Sequence, residues 1–307
     1  MDSTAEGRIS VSAFNRSSRK FAWDQKRVLV TGGSAGLGLV LARQLASKGV
    51  RLAVCDMARQ TVRQAVDELR KYGGDVIGIE CDVRKYDSVV QMFEEIDAEF
   101  GGVDVLFNAA GVVEVGASEW MNHRDFENFM ETNCRGAFCT IRAAMPGMWK
   151  LGWGRIMNVA LLGRQRAVTS MPPGVECKSG TVGLLQDLRT DFRHENILVS
   201  TACPGLIETL SSRETMFEDR HREKYGWFSI GDSLPLMSEN AQEAASQIID
   251  SCQQGRGKFT VANPVNVAVH LQRYFPALKN EILTMMGQPP LRWEPLGASE
   301  FEKIEVN

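Results

Sequence analysis

The apolar run Arg27-Val28-Leu29-Val30 leads directly into the glycine-rich turn Thr31-Gly32-Gly33-Ser34-Ala35-Gly36-Leu37-Gly38, and this couplet constrains the fold more than any other feature. A short apolar run closed by a turn signal reads as a buried strand, and apolar residues at helical spacing follow from Leu37 to Ser47. The couplet then recurs. Arg51–Cys55 reads as a strand and Thr61–Tyr72 as a helix, followed by Asp75–Glu80, Tyr86–Phe100 and Val103–Asn108 in the same alternation. Asp125–Lys150 reads as one long helix, Arg155–Val159 as a strand, Lys178–Arg193 as a helix and Leu198–Ala202 as a strand. Asn240–Gln254 and Lys258–Val261 close the series. Strict alternation implies right-handed βαβ units, hence an α/β fold with a doubly wound parallel sheet covered by helices on both faces.

At 307 residues, one large domain is expected rather than two. A net charge of −3 gives no electrostatic case for nucleic acid. The seven cysteines form no CxxC pair, which argues against a zinc site or a disulfide frame and for a reducing, cytoplasm-like compartment. Residues 1–22 lack the apolar core of a signal peptide and read as a flexible tail. No apolar run is long enough to span a bilayer. The stretch 265–286 is amphipathic, with Pro276 in its middle, and suits core or dimer packing, or peripheral contact with a membrane or a greasy ligand. The interval 206–239 breaks the βα rhythm with a charged cluster from Arg213 to Lys224. Ligands of open α/β sheets bind beyond the strand carboxyl ends, so an insertion there is expected to act as a lid over that crevice.

The glycine-rich turn has the right strand before it and the right helix after it for a dinucleotide site, where the backbone approaches a pyrophosphate at a helix N-terminus. Asp56, at the end of the second strand, lies eighteen residues after Gly38. A carboxylate there accepts from the adenosine ribose hydroxyls and repels a 2′-phosphate, favouring NAD over NADP. Further motifs follow in order. They are Cys81-Asp82-Val83, then Asn108-Ala109-Ala110-Gly111, then Asn133 within Glu131-Thr132-Asn133-Cys134-Arg135-Gly136, and then Pro204-Gly205-Leu206-Ile207-Glu208-Thr209. Over roughly residues 24–262 the chain resembles the short-chain dehydrogenase/reductase family, whose TGxxxGxG, acidic adenine-contacting, NNAG, helical-Asn and PGxxxT motifs these match, with Ala109 in place of the second Asn. The resemblance implies a Rossmann fold and an NAD-dependent oxidoreductase. It assigns the cofactor to Gly32, Ser34, Gly36, Leu37, Gly38, Asp56, Asp82, Val83, Asn108, Lys178 and Ile207, and keeps Asn133 and Lys178 from the catalytic tetrad. A homodimer or homotetramer with a small-molecule ligand is implied as well, and residues 263–307 are left as a helical extension and tail.

Two departures coincide. The family's Gly-Arg-Ile-x-Asn-x-Ser-Ser is matched by Gly154-Arg155-Ile156-Met157-Asn158-Val159-Ala160-Leu161, and its YxxxK by Gly174-Val175-Glu176-Cys177-Lys178. The catalytic serine position therefore holds Leu161 and the tyrosine position Gly174. The four tyrosines are Tyr72, Tyr86, Tyr225 and Tyr274, so none lies between residues 87 and 224. Losing a general acid typically costs 10²–10⁴ in rate and losing an oxyanion-type donor about 10²–10³. Two expectations follow. One is an atypical oxidoreductase on a medium-sized, partly apolar molecule, reducing C=N or conjugated C=C or catalysing a cyclisation or isomerisation, with its proton taken from substrate, lid or water. The other is a catalytically inactive NAD-binding protein acting through oligomers or partners. Ser170, Thr169, Arg164 and Arg166 on the preceding loop, and Tyr225 and His221 in the lid, are the side chains able to approach the vacated position. On a helix, Cys177 sits about 60° around from residue 174 and Glu176 points nearly the opposite way, at about 200°. A helix opened by Pro172-Pro173 would present its N-terminus to an anion there.

Overall fold

A computed structural model describes residues 21–112, 123–159, 196–203, 207–208 and 239–260. Its strands are β1 (Arg27–Thr31), β2 (Arg51–Asp56), β3 (Asp75–Glu80), β4 (Val105–Asn108), β5 (Gly154–Val159), β6 (Ile197–Cys203), β7 (Ile207–Glu208), β8 (Glu239–Asn240) and β9 (Lys258–Thr260). Seven of them form one parallel sheet in the order β3-β2-β1-β4-β5-β6-β9. The described helices are α1 (Gly36–Ala46), α2 (Arg59–Leu69), α3 (Tyr86–Phe100), α4 (His123–Met130), α5 (Ala137–Leu151) and α6 (Ala241–Gln253). The architecture is the expected Rossmann-type doubly wound sheet.

Strand side chains alternate between faces, and this alternation builds two cores. Val28, Val30, Leu52, Val54, Val105 and Phe107 point to one face, where Leu41 and Leu45 of α1, Leu69 of α2 and Ile248 of α6 cover them. Leu29, Ala53, Leu106 and Ile156 point to the other, under Val89, Met92 and Ile96 of α3 and Ile141, Met145 and Met148 of α5. Strands buried on both faces carry near-continuous apolar runs, which is why these segments read so clearly in the sequence. The strand order reverses beside β1, where the chain turns from β3 back to β4. The carboxyl ends of β1 and β4 therefore flank the crevice where such sheets bind ligands.

The helix expected over Asp125–Lys150 is interrupted. α4 ends at Met130, a π-helical turn runs over Glu131–Gly136, and α5 starts at Ala137. The Asn133 amide explains part of this, because its Nδ2 donates to the carbonyls of Phe129 at 3.0 Å and Val112 at 3.1 Å. Thr132 also donates back to the Asn128 carbonyl at 2.8 Å. Side chains that bond the preceding turn compete with the regular ladder and bend it, and π-turns recur at functional sites. Other boundaries move by one or two residues, with α2 beginning at Arg59 and α6 at Ala241.

The two ends of the interval 206–239 are joined, since β7 pairs in parallel with β8 through Ile207↔Glu239 and Glu208↔Asn240. The residues between them lie outside the described residues, as do the expected helix 178–193 and the stretch 265–286. No described helix is long and apolar enough to cross a membrane.

Candidate nucleotide site at the carboxyl ends of the sheet

The turn after β1 is held by packing that admits no side chain. Gly32 and Gly36 have φ of +64° and +52°, in the region that favours glycine. A Cβ on Gly32 would lie 2.7 Å from the Ala110 Cα. A Cβ on Gly38 would be driven into the Gly32 carbonyl oxygen. The first turn of α1 therefore sits directly on the glycine-rich loop, and the backbone there is bare enough for a pyrophosphate to approach. Leu37 packs partly against the core on the α1 side of the sheet. The Thr31 hydroxyl accepts from the amides of Ala109 at 3.2 Å and Ala110 at 3.1 Å, tying the turn to the segment after β4. The motif alone does not reveal this role of Thr31, because Ala109 and Ala110 lie 78 and 79 residues away in sequence.

Asp56 closes β2 beside this turn. Its Oδ1 accepts from the Met57 amide at 2.8 Å, and its Oδ2 accepts the Ser34 hydroxyl at 2.5 Å. Ser34 Oγ also lies 3.2 Å from Thr61 Oγ1, whose proton goes to the Ala58 carbonyl at 2.8 Å. The two hydroxyl protons are thus committed to Asp56 and Ala58, and several oxygen lone pairs gather at one mouth. Such a mouth attracts donors, as a ribose diol supplies, and disfavours a phosphate dianion. Asp56 makes no ion pair among the described residues.

Asp82 follows β3 one strand further out, where the Cys81 amide bonds the Asp56 carbonyl at 2.9 Å. Arg84 grips its carboxylate with Nε at 2.9 Å from Oδ1 and Nη2 at 2.9 Å from Oδ2. The guanidinium holds the Asp82 carboxyl below its ordinary range, against the opposing pull of burial. Val83 is buried against Gly136, where a Cβ would come within 2.8 Å of Val83 Cγ2.

Asn108 is placed differently from a ligand-facing side chain. It is buried, donates to Asn158 Oδ1 at 2.9 Å and accepts from Thr140 Oγ1 at 2.7 Å, so its amide braces β4 to β5 and α5. Any contact from this position to a nucleotide falls to backbone groups nearby. Asn133 lies against the segment that follows β4. Its Oδ1 would be 2.6 Å from a Cβ on Gly111, which keeps that glycine bare. Ile207 is in β7. Leu161, Gly174 and Lys178 lie outside the described residues.

The structure therefore brings Gly32, Ser34, Gly36, Gly38, Asp56, Asp82 and Val83 to the carboxyl-end edge of β1, β2 and β3. Among the described residues no group of His, Cys, Asp and Glu could hold a metal ion. Cys55, Cys81, Cys134, Cys139 and Cys252 carry free thiols, and burial pushes the Cys252 thiol up to about 12. Such a thiol is inert at neutral pH.

Comparison with known proteins agrees with this geometry. The 3-oxoacyl-acyl-carrier-protein reductase of Bos taurus is 34% identical over 207 residues, covering 67% of this chain and 86% of the relative. The D-beta-hydroxybutyrate dehydrogenase of Rhizobium meliloti is 31% identical over 186 residues, covering 60% of this chain and 72% of that protein. The crystal structure of an actinorhodin polyketide ketoreductase with NADPH superposes with a TM-score of 0.71 at 27% identity, covering 78% of this chain and 97% of that one. The short chain dehydrogenase family model matches residues 26–219. With the glycine turn, the strand-end carboxylates and the helical asparagine in their places, the chain belongs to the short-chain dehydrogenase family of oxidoreductases.

Proposed function

We propose that the protein binds NAD(H) in preference to NADP(H) and has an altered catalytic centre, acting on a medium-sized, partly apolar small molecule. The observation that carries the cofactor reading is Asp56, held by Ser34 at 2.5 Å beside the glycine turn with no cation paired to it among the described residues. When bound, NADH supplies a hydride. The chain's own residues would hold its diphosphate at the α1 N-terminus and its ribose at Asp56, and Asn133 would fix the backbone at Val112 beside the nicotinamide end. The relatives' names point to carbonyl groups on acyl chains or hydroxy acids as the ligand class. With Leu161 and Gly174 at the serine and tyrosine positions, simple ketone and alcohol chemistry is expected to be slow. Imines, enones, cyclisation or isomerisation then become the favoured reactions, because their demand for an enzyme-borne acid is smaller. The paired ends of 206–239 support a lid role for that interval. Exposed Phe126, Phe138 and Leu151 on α4 and α5 support a homo-oligomer.

Fluorescence titration with NADH and NADPH, followed by a turnover screen over ketones, imines and enones, tests this reading. NADH is expected to bind more tightly, and Asp56→Ala to weaken it by roughly tenfold or more while bringing NADPH closer to parity. Equal wild-type affinities would overturn the Asp56 assignment. Binding without turnover of any class would favour the inactive, partner-directed protein.

Gly174→Tyr alone is expected not to restore secondary-alcohol oxidation, because Leu161 supplies no polar partner for the substrate oxygen. The double variant with Leu161→Ser should exceed either single one. Oxidation of simple secondary alcohols by the wild type near the common rate of about 10 s⁻¹ would show that another residue fills the role.

A further inference from the structure

We propose that Cys55 and Cys81 form a redox-responsive thiol pair behind the nucleotide edge, which hydrogen peroxide closes to a disulfide, weakening dinucleotide binding. The effect on binding rests on the nucleotide reading above, whereas the chemistry of the pair does not. Cys55 is in β2 and Cys81 directly follows β3. Both side chains are buried in the same core, beside Ile79 and Val83. Ile79 stands opposite Cys55 in the register of the two strands, and Cys81 is the next residue along on that face. The Cys81 amide donates to the Asp56 carbonyl at 2.9 Å, which keeps the two chains together at this point. The Cys55 thiol hydrogen-bonds the Cys81 sulfur. Each cysteine is followed at once by a carboxylate of the site, Asp56 or Asp82.

Their surroundings give the two thiols different roles. Cys81 accepts from the Cys55 thiol and from the Ser88 hydroxyl, and these donors hold it below its ordinary value against burial and the carboxylates of Asp82 and Glu95. Cys55 gives up its proton less readily, because its hydrogen bond to Cys81 and its full burial push it up. Ser88 also accepts from the Asp82 amide at 3.2 Å, and it lines a cleft of about 650 Å³ with Arg84, Lys85 and Arg135. Cys81 therefore lies one hydroxyl behind a surface that a small peroxide reaches. The Cys81 thiolate attacks a peroxide oxygen, the O–O bond breaks, and Cys81 becomes a sulfenic acid while the departing hydroxide takes up the proton that Cys81 released. The Cys55 sulfur then attacks the Cys81 sulfur. The S–S bond forms, the S–O bond breaks, and the second hydroxide leaves as water with the Cys55 proton. Two thiols lose two electrons and one hydrogen peroxide becomes two waters. A diagonal pair on neighbouring strands is typically spaced wider than a relaxed disulfide spans. Closure therefore draws the ends of β2 and β3 together and displaces Asp56 and Asp82, and a bond strained in this way is readily reduced.

The test treats full-length protein with hydrogen peroxide, blocks the remaining thiols with iodoacetamide, and maps tryptic peptides by mass spectrometry. Cys55 falls in the peptide 52–59 and Cys81 in 72–84, so the disulfide is read as these two peptides linked. NADH titration of the same samples is expected to show roughly tenfold weaker binding after oxidation, restored by dithiothreitol. Cys55→Ala should leave Cys81 as a sulfenic acid that dimedone traps, with no linked peptide. The double variant Cys55→Ala with Cys81→Ala should keep its NADH affinity through the same treatment. Oxidised wild type without the linked peptide overturns the proposal, and this readout needs no variant to fold. A linked peptide with unchanged NADH affinity overturns the effect on binding. An equal loss of affinity in the double variant places the effect on another thiol and overturns it too. A wild type that binds no NADH before oxidation overturns the nucleotide reading, while the linked peptide still decides the chemistry of the pair.

Discussion

Gly38→Ala is expected to abolish measurable dinucleotide binding and to destabilise the fold, although it adds a single methyl group. The added Cβ would overlap the Gly32 carbonyl oxygen. That oxygen cannot retreat, because Gly32 is at φ +64° and is itself packed against the Ala110 backbone. The Gly33 amide is also bonded to the Cys55 carbonyl at 3.1 Å. Relief must come from lifting α1 off the loop, which moves the helix N-terminus away from the phosphate position. Overpacking costs typically 1–3 kcal/mol, and here the obstruction is backbone, so the loss should reach about 3 kcal/mol or more. NADH affinity should fall by at least about 100-fold. Gly147→Ala is the matched control. It lies in α5 with nothing within 4 Å of a new Cβ, and it should stabilise by up to about 1 kcal/mol. Thermal melts and NADH titration of both variants check this. A Gly38→Ala protein that binds NADH within fivefold of wild type would show that α1 does not rest on the loop as described.

Asp104→Ala is expected to cost about 3 kcal/mol of stability, the scale of breaking a partly buried ion pair, and to leave NADH affinity at neutral pH unchanged. Asp104 precedes β4 and meets Arg27 at the start of β1. Its Oδ1 is 2.7 Å from Arg27 Nη2, and its Oδ2 accepts Arg27 Nε at 3.0 Å and the Arg27 amide at 2.9 Å. Arg27 also donates to the Gly101 carbonyl. Removing the carboxylate strands a largely buried guanidinium. The pair sits at the amino ends of the strands, far from the nucleotide edge, so the two readouts separate. The pH dependence follows from the same geometry. Burial pushes the Asp104 carboxyl up, but the Arg27 side-chain and amide donors outweigh it and leave the group below its ordinary value. A carboxyl depressed in the folded state contributes stability above its unfolded pKa, near 4, and loses it as pH falls through the lower folded value. The wild type should therefore lose stability below about pH 4, and Asp104→Asn should flatten that part of the profile. Denaturant melts at several pH values, with a profile for Asp104→Asn parallel to wild type, would sink the assignment.

Features carried by neighbouring residues are legible in the sequence alone. β1, the glycine turn and α1 are written in consecutive residues, and the alternation of apolar runs is enough to imply a parallel sheet. Asp56 is legible as a candidate because it ends a recognisable strand, and Asp82 because its motif just after β3 resembles the family's. Ion pairs and amide networks were not legible, because their partners are distant in sequence. Asn133 reaches Val112 across 21 residues, and this contact, together with the back-bonds of Asn133 to Phe129 and Thr132 to Asn128, accompanies the division of one expected helix into two around a π-turn. Asn108 seemed ligand-facing in its motif, yet Thr140 and Asn158, 32 and 50 residues on, absorb its amide into the core. In the sequence Arg84 is an ordinary charged residue after a strand, and only the fold sets Asn128, 44 residues away, against its Nη1.

The sequence by itself determined the winding of the sheet, the position of the nucleotide edge and the absence of tyrosine between residues 87 and 224, since each depends on residue type and local order. Only the tertiary structure decided which polar groups remain available to a ligand. Hydrogen-bond capacity is finite, and Asn158 and Thr140 engage the buried Asn108 amide only because the fold packs them beside it.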